Sequence, residues 1–247
     1  MRKTSLRMDP KIIYQDSKLL ILDKPSGWIV NEAQTTKNQP VIQSWIAKNF
    51  DFPLSKSREE RSGIVHRIDK ETSGILVVAK TLETFSYLQG QFKERKVKKN
   101  YTALAHGKVK AIDFQGEISV PVGRLPWRRD RFGVLAGGRS ATTFFRVKGY
   151  YSKSKEEFSL LELFPKTGRT HQIRIHLKYI GHPIVSDEFY AGRKTARNDR
   201  VWCPRLFLHA SKISLNLPDS KEPIEFESDL PKDLSLVLKS LNKLSLA

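Results

Sequence analysis

The sequence has little sulfur and no long apolar segment. It contains one cysteine, Cys203, and two methionines in 247 residues. A single thiol excludes an internal disulfide and a cysteine-rich zinc site. The longest apolar runs, residues 19–22 and 75–79, are far too short to span a bilayer. The basic N-terminus is not followed by the apolar stretch of a secretory signal, so a cytoplasmic location is predicted.

Acidic residues are scarce relative to basic ones. Forty-four Lys and Arg stand against 26 Asp and Glu, which gives a formal net charge of +18. Such an excess attracts polyanions and favours nucleic acid or an anionic membrane surface as a partner, although charge that serves solubility is the simpler alternative. The length suffices for one sizeable core. We predict a basic N-terminal extension over residues 1–11 and a single catalytic domain over residues 12–247.

Short apolar runs that indicate strands alternate irregularly with helical patterns. Pro40 and Thr81 are each predicted to begin a helix, and so is Thr170. A fourth helical stripe includes Leu234 and extends to Leu244. The polar stretches 55–62 and 193–205 are predicted loops. The predicted strands are 12–14, 19–22, 75–79, 101–105, 118–122, 142–147, 158–164 and an alternating segment after residue 212. Strands outnumber helices without strict alternation, which predicts an α+β fold with a mixed or largely antiparallel sheet.

The segment 63–79 places one carboxylate, Asp69, in a loop directly before a buried strand. Glycines and the hydroxyl residues Thr72 and Ser73 surround it. Loops held by such strands often position reactive groups. The same residues also suit a turn in which Asp69 and Thr72 bond only to the backbone. From the residues alone, the two interpretations stand side by side.

The segment 166–177 combines two arginines with two histidines near a helix start. On a helix His171 and Arg174 share a face, whereas His176 lies two residues from Arg174 and does not join it. The spacing of the two histidines differs from the usual zinc pair on a helix, and no acidic ligand lies nearby. No metal site is therefore predicted.

Taken together, these segments resemble the RluA-type pseudouridine synthases. The family signature HR-[LI]-D-x-x-T-S-G stands complete as His66-Arg67-Ile68-Asp69-Lys70-Glu71-Thr72-Ser73-Gly74. The other matching elements are Lys24-Pro25-Ser26-Gly27, Lys99-Asn100-Tyr101-Thr102-Ala103, Gly168-Arg169-Thr170-His171-Gln172-Ile173-Arg174-Ile175-His176, Gly181-His182-Pro183-Ile184 and Leu208-His209-Ala210. Two departures leave these motifs intact: Ser186 stands where the family usually has glycine, and residues 193–205 form a variable stretch.

The resemblance implies a pseudouridine synthase fold, in which a bent mixed or antiparallel sheet is flanked by helices around a central catalytic cleft. It implies an isomerase that converts a specific uridine of ribosomal or transfer RNA into pseudouridine. No cofactor is expected, since the reaction involves no redox change. The expected form is a member without the S4-type RNA-binding module, acting as a monomer on a structured RNA stem-loop.

The resemblance also assigns roles to residues. Asp69 is the expected catalytic carboxylate, acting either as a nucleophile at C1′ or as a base that removes a ribose proton. Arg174 is expected to pair with Asp69 and keep it ionised. Tyr101 is expected to lie against the target base, although a core tyrosine is the plainer alternative. The expected substrate-binding residues are Arg67, His66, Thr72, Leu208, Arg169 and His171.

Arg67 is expected to fill the space left by a flipped uridine, with a structural ion pair as the alternative. Leu208 is expected to line the uracil pocket, or else to be a core residue. Basic residues between 91 and 110, and basic and aromatic residues between 124 and 132, suit contact with RNA. Two rival functions remain open. One is an inactive RNA-binding or ribosome-assembly factor, and the other is a nuclease that uses His66, His171 and His176.

Overall fold

The computed structural model describes residues 8–36, 38–218, 220 and 222–245. Over these residues the chain forms twelve strands and five α-helices. The strands are β1 (Lys11–Gln15), β2 (Leu19–Lys24), β3 (Ser73–Ala79), β4 (Lys98–His106), β5 (Gln115–Ser119), β6 (Val122–Leu125), β7 (Arg128–Val134), β8 (Thr142–Lys153), β9 (Glu156–Pro165), β10 (Leu208–Leu215), β11 (Ile224–Glu227) and β12 (Asn242–Leu244). The helices are α1 (Ile42–Asn49), α2 (Leu82–Lys93), α3 (Gln172–Tyr179), α4 (Arg193–Asp199) and α5 (Lys232–Lys239).

This content confirms the predicted α+β class, and the named strand pairs described below are antiparallel. Residues 1–7 of the predicted N-terminal extension lie outside the described part of the chain. The central cleft stays a prediction. Among the described residues, no helix is both long enough and apolar enough to cross a membrane.

The chain divides into two compact units. The first unit contains residues 1–96 and 215–228. Its strands β1, β2 and β3 pair antiparallel in that order, and the side chains of β3 and nearly all those of β2 are buried. The continuous apolar runs of the sequence therefore indicated central strands, which bury both faces. Helix α2 packs against β3.

The sequence predicted the start of α2 correctly. Thr81 has extended backbone geometry, and its hydroxyl accepts a hydrogen bond from the N–H of Thr84. This is the N-cap arrangement that satisfies a free backbone donor at a helix start. Phe85 and Leu88 then face inward, as their spacing indicates. Helix α1 begins at Ile42, two residues later than predicted, because the backbone between Pro40 and Ile42 is extended and bonds to residue 29.

The second unit contains residues 97–214 and 229–247. Its strands lie in the order β10, β4, β9, β8 and β12, and β5 adds to β8. The main core lies here and includes the fully buried side chains of Phe158, Leu161, Leu177 and Phe207. Strands β6 and β7 form a separate hairpin whose base packs on a small cluster with Ile175 of α3. Strand β4 thus has a neighbouring strand on each side, β10 and β9, and α3 lies beside the hairpin.

Two secondary-structure predictions are wrong, one because a proline interrupts a strand and one because tertiary pairing overrides the local pattern. Residues 118–122 were predicted as one strand, but β5 ends at Ser119 and β6 begins at Val122. Pro121 stands between them and has no N–H to donate to a ladder. The last helix ends at Lys239 rather than reaching Leu244. That leucine pairs with Tyr150 of β8, where a strand edge offers backbone partners.

The third wrong prediction concerns the polar stretch 193–205, which contains helix α4. Its sequence lacks an apolar stripe of helical period, so no pattern indicated a helix. Gly192 precedes the helix with φ +93°, and Ala196 and Asp199 are the residues that it buries. A buried aspartate carries no hydrophobic signal, which explains why the stretch was taken for a loop.

Candidate active site

The predicted catalytic aspartate lies in an irregular loop of the first unit that leads into β3. Asp69 is half-buried, and its carbonyl accepts a hydrogen bond from the N–H of Thr72 at 3.2 Å. The neighbouring Ile68 is buried and fixes the loop to the interior. The loop therefore turns after Asp69 through a backbone hydrogen bond. Such a turn is compatible with a catalytic role, since this bond uses the main-chain carbonyl of Asp69.

The element Lys24-Pro25-Ser26-Gly27 holds this loop in place. Lys24 is fully buried, and its ammonium donates a hydrogen bond to the carbonyl oxygen of Lys70 at 3.1 Å. The N–H of Gly27 donates to the same oxygen at 2.8 Å, and the hydroxyl of Ser26 donates to the carbonyl oxygen of Glu71 at 2.7 Å. Hydrogen bonds from a buried charged donor are strong, because the local dielectric is low. The backbone directly after the aspartate is therefore firmly positioned.

The two residues at the start of the signature have different surroundings. His66 Nε2 accepts a hydrogen bond from the N–H of Val77 at 3.0 Å, so the neutral ring carries its proton on Nδ1. The ring also stacks on Phe92, with centroids 4.9 Å apart. Arg67 is exposed. These contacts tie His66 to the scaffold and leave Arg67 accessible, as an intercalating side chain requires.

Thr72 is buried, and its hydroxyl has no hydrogen-bond partner among the described residues. A buried hydroxyl without a partner costs about 1–3 kcal/mol. We therefore expect Thr72→Val, which keeps the side-chain shape, to raise the free energy of unfolding by about 1 kcal/mol. Chemical denaturation checks this expectation.

Thr84 is the matched control, because it is equally buried and its hydroxyl accepts a bond from Thr81 at 2.9 Å. Thr84→Val is expected to lower stability. Equal losses in the two variants would contradict the expectation. A loss of turnover in Thr72→Val together with a gain in stability is the result that its predicted substrate-binding role requires.

The second unit carries Arg174 on α3, and its guanidinium forms a buried ion pair with Asp187. Arg174 Nε lies 2.7 Å from one carboxylate oxygen, and Nη2 lies 2.8 Å from the other. The side chains are 3% and 0% exposed. Sequence reasoning missed Asp187, because its partner lies 13 positions away and no local pattern links them. The expected pairing of Arg174 with Asp69 stays a prediction.

Asp187 also organises the turn that follows it. One carboxylate oxygen accepts the N–H groups of Phe189 and Tyr190, at 3.0 and 3.1 Å. The Arg174 guanidinium lies 5.4 Å from the ring centre of Phe189 and 5.1 Å from that of Tyr190. Cations are attracted to such ring faces. His171 Nδ1 is 2.9 Å from the Tyr190 hydroxyl. The turn thus fixes both Arg174 and the predicted substrate-binding histidine.

Gln172 fixes the start of α3. Its side-chain oxygen, Oε1, accepts hydrogen bonds from the Thr167 hydroxyl at 2.7 Å and from the Arg169 N–H at 3.0 Å. Its side-chain nitrogen, Nε2, donates to the carbonyl oxygen of Thr142 at 3.1 Å. His171 precedes the helix with φ +56°, a left-handed conformation that is uncommon for a residue other than glycine. The Gln172 bonds provide the local support for that geometry.

Strand pairing brings Tyr101 and Leu208 to one face of the sheet in the second unit. Tyr101 lies opposite Ala210, and Ala103 lies opposite Leu208. Because alternate residues of a strand point to the same face, both predicted residues lie on that face. Leu208 is buried in the main core, and Tyr101 is half-buried and packs against that core.

His176 does not suit general acid–base chemistry. It is fully buried, and burial lowers its pKa, so the ring is neutral near pH 7. Its Nε2 lies 3.3 Å from the carbonyl oxygen of Val120. A buried neutral imidazole has no access to a phosphodiester. The geometry therefore speaks against the nuclease that would use this residue.

Among the described residues, one group has the chemistry of metal ligands. His106, Glu156 and Asp199 each place a ligand atom within 4.8 Å of the others. Asp199 Oδ2 already lies 3.0 Å from His106 Nε2 and accepts the N–H of Ser186 at 2.8 Å. These bonds tie the Asp199 carboxylate to β4 and to the turn at Ser186.

Ser186 stands where the family usually has glycine, and the structure explains how a serine fits there. Its backbone has φ +62°, a conformation that glycine adopts without strain. The serine is fully buried, and its hydroxyl donates a hydrogen bond of 2.7 Å to the carbonyl oxygen of Cys203. This bond compensates for the backbone cost and keeps Asp187 in place beside it.

A comparison with protein families matches the part of the chain that contains most of the residues described above. Residues 18–179 match the family model described as RNA pseudouridylate synthase. This chain belongs to the RNA pseudouridylate synthase family. The predicted RluA-type membership is thereby confirmed. The match includes Asp69, Tyr101 and Arg174 and ends before Asp187 and Leu208.

Relatives in the RNA pseudouridylate synthase family are similar over most of this chain. "Ribosomal large subunit pseudouridine synthase D" of Nitrosomonas europaea is 37% identical over 238 residues, which are 95% of this chain and 66% of that protein. "Uncharacterized RNA pseudouridine synthase YlyB" of Bacillus subtilis is 36% identical over 237 residues, covering 96% and 74%. The chain thus spans about two thirds of the length of these relatives.

Solved structures support the fold. "Human RNA Pseudouridylate Synthase Domain Containing 1" superposes with a TM-score of 0.74 at 24% identity, covering 100% of this chain and 93% of the human one. The human domain-containing protein 4 of the same series gives 0.67 at 22% identity, covering 94% and 93%. The pseudouridine synthase fold predicted from the motifs is therefore confirmed.

Proposed function

We propose that this protein converts a uridine of a structured RNA into pseudouridine, with Asp69 as the essential carboxylate. The observation that carries the proposal is family membership together with the complete signature 66–74, placed on a loop that Lys24 anchors. The reaction breaks the C1′–N1 bond, turns the uracil and joins C5 to C1′. Its atoms balance without any co-reactant, so we expect no cofactor.

Asp69 must be ionised in either of its two possible roles. As a nucleophile it would attack C1′, and as a base it would remove a ribose proton. Partial burial disfavours the charged form of a carboxylate, whereas a nearby cation favours it. We propose that Arg174 pairs with Asp69 and keeps its carboxylate ionised.

The remaining substrate contacts follow from the positions of the side chains. Tyr101, on the face that it shares with Leu208, would lie against the flipped uracil. Arg67, which is exposed, would occupy the space that the uridine leaves in the stack. His66, Thr72, Arg169 and His171 would position the strand around the base. We expect a compact stem-loop as the substrate and a monomer as the active form.

The names of several relatives indicate which RNA to test first. Proteins 37%, 36% and 34% identical to this chain are called large-subunit ribosomal pseudouridine synthases. We therefore propose large-subunit ribosomal RNA as the first substrate to examine, with transfer RNA as the other, and the cytoplasm as the place of reaction. Carbodiimide mapping of total RNA from cells with and without the protein tests the proposal.

That experiment also separates the rival functions. A pseudouridine that disappears with the gene and returns on expression supports the isomerase. An unchanged map with normal RNA binding indicates an inactive binding factor. Shortened RNA indicates a nuclease, because isomerisation conserves both the length and the mass of the substrate.

The β6–β7 hairpin supports contact with RNA beyond the target base. Trp127 lies in its turn and is 71% exposed, and Arg124 and Arg128 on the flanking strands are also exposed. An exposed aromatic beside cations suits stacking on an unpaired base and contact with phosphates. Arg131 donates a hydrogen bond to the carbonyl oxygen of Phe189, which ties the hairpin to the turn beside Arg174.

We expect Trp127→Ala to weaken binding of the mapped RNA about tenfold, because stacking contributes about 1–3 kcal/mol per base. Arg128→Gln is expected to reduce the slope of log affinity against log salt by about one. Tyr179→Ala is the control, since Tyr179 is an exposed aromatic at the end of α3 and outside the hairpin, 57% accessible. Fluorescence anisotropy over a salt series measures both effects. Affinity that is insensitive to salt would contradict this contact.

A further inference from the structure

Lys99 lies on β4, two residues before Tyr101, and its surroundings differ from those of the exposed lysines Lys56 and Lys96. It is half-buried, and among the described residues its ammonium makes one hydrogen bond, a long one of 3.4 Å to the carbonyl oxygen of Thr167. By contrast, Lys56 and Lys96 are exposed and paired with carboxylates. A partly desolvated ammonium with unused donors is costly unless an anion completes the site.

The ammonium faces a bare stretch of backbone. A side chain built on Gly168 would place its first carbon 4.0 Å from Lys99 Nζ. Gly168 is exposed, and within the described part of the chain its N–H makes no hydrogen bond. A glycine at this place leaves room for a ligand beside the lysine. Backbone N–H groups and an ammonium together are the donors that bind phosphate.

The strand residues beside Lys99 and Tyr101 add no acid to the face that Lys99 occupies. Ile213 lies opposite it on β10, and Leu163 of β9 lies opposite Tyr101 on the same face. The nearest acid on β9, Glu162, accepts a bond from Asn100 and so lies on the other face. The loop that provides Thr167 also carries Lys166, which lies over the Phe144 ring, and Arg169, which donates a hydrogen bond to the carbonyl oxygen of Ser140. Tyr101 is the titratable group next to Lys99 on this face of β4.

We propose that Lys99 and the N–H of Gly168 bind a phosphate of the RNA strand adjacent to the target nucleotide. Residues two apart on a strand lie about 7 Å apart, so a phosphate at Lys99 is a close neighbour of a base against Tyr101. The inference rests on the proposed function for the identity of the ligand. The anion-binding site itself rests on the geometry of this unit.

The proposed site can be tested through the pH at which Lys99 loses its proton. Desolvation by burial lowers the pKa of Lys99 to about 8, and a bound phosphate would raise it again. Binding of RNA should therefore weaken as the pH rises from 7 to 9, by about tenfold for this one group. In the native state the pKa lies below its unfolded value, so the charged form costs stability below pH 8. Stability should then rise from pH 8 towards the unfolded pKa, and Lys99→Met should fold.

The first experiment is a ¹³C NMR titration of the lysine Cε signals, with Lys99 assigned from its absence in Lys99→Arg. We expect a pKa near 8 in the free protein and an upward shift on addition of a short oligouridylate. The second is anisotropy with the same labelled oligouridylate at two pH values. Wild-type affinity should fall with pH, Lys99→Arg should bind equally at both, and Lys99→Met should bind weakly at both. Lys56→Met is the exposed control and should behave as wild type.

An unshifted Lys99 signal, or the same pH dependence in wild type and Lys99→Arg, would overturn the site. The two proposals fail separately, because pseudouridine formation is measured in its own assay. A protein that makes no pseudouridine but shows the Lys99 shift retains the anion site and loses the proposed function. A protein that makes pseudouridine without the shift retains the function and loses the site.

Discussion

An Asp69→Asn protein is expected to bind the mapped RNA within a few fold of wild type and to lose at least about 10⁴-fold in turnover, as enzymes do when a catalytic nucleophile is removed. Asparagine keeps the size of the side chain but cannot carry the negative charge that either mechanism needs. The loop should survive the change, because Lys24, Gly27 and Ser26 donate hydrogen bonds to its main-chain carbonyls.

Tritium release from labelled uridine RNA measures turnover, and anisotropy measures affinity. Asp51→Asn is the control, since Asp51 is an exposed acid of the same unit, 90% accessible and paired with Lys56. The control should retain activity. Wild-type turnover by Asp69→Asn or Asp69→Ala would remove Asp69 from the chemistry.

Asp187→Ala is expected to lower the free energy of unfolding by about 3–5 kcal/mol, because it leaves the Arg174 guanidinium buried without its carboxylate. The loss should also free the N–H groups of Phe189 and Tyr190, which the same carboxylate accepts. Chemical denaturation measures the change. Turnover should fall as well, since the turn that orients Arg174 would be lost.

The exposed pair Lys56–Asp51 provides the comparison for this effect. Its carboxylate and ammonium lie 2.8 Å apart, as close as those of the buried pair, but the side chains are 68% and 90% exposed. Asp51→Ala should therefore cost much less stability than Asp187→Ala. Equal losses in Asp51→Ala and Asp187→Ala would show that the buried pair contributes nothing special.

Local patterns predicted the elements whose signals lie within a few residues of chain. Thr81 marked the start of α2 because a hydroxyl at that position bonds to the backbone three residues on. The runs 19–22 and 75–79 marked buried strands because they are apolar without interruption. The motif that contains Asp69 was likewise readable, since its residues are contiguous in sequence.

Local patterns did not predict contacts between residues that are far apart in the sequence. Leu244 fits the apolar stripe of a helix, yet in the structure it pairs with β8. Helix α4 buries Asp199, a polar residue, so its sequence shows no apolar pattern. No local pattern indicates Asp187 as the partner of Arg174, or Lys24 as the anchor of the loop after Asp69. Each depends on which side chains the fold brings together.

The sequence by itself determined the family, the aspartate to test first and most of the strands, because short-range periodicity and contiguous motifs encode them. Only the tertiary structure decided which carboxylate Arg174 binds in its own unit, how the loop after Asp69 is held, and why Lys99 is desolvated. The physical reason is that burial and hydrogen bonding depend on neighbours in space, and those neighbours are far apart along the chain.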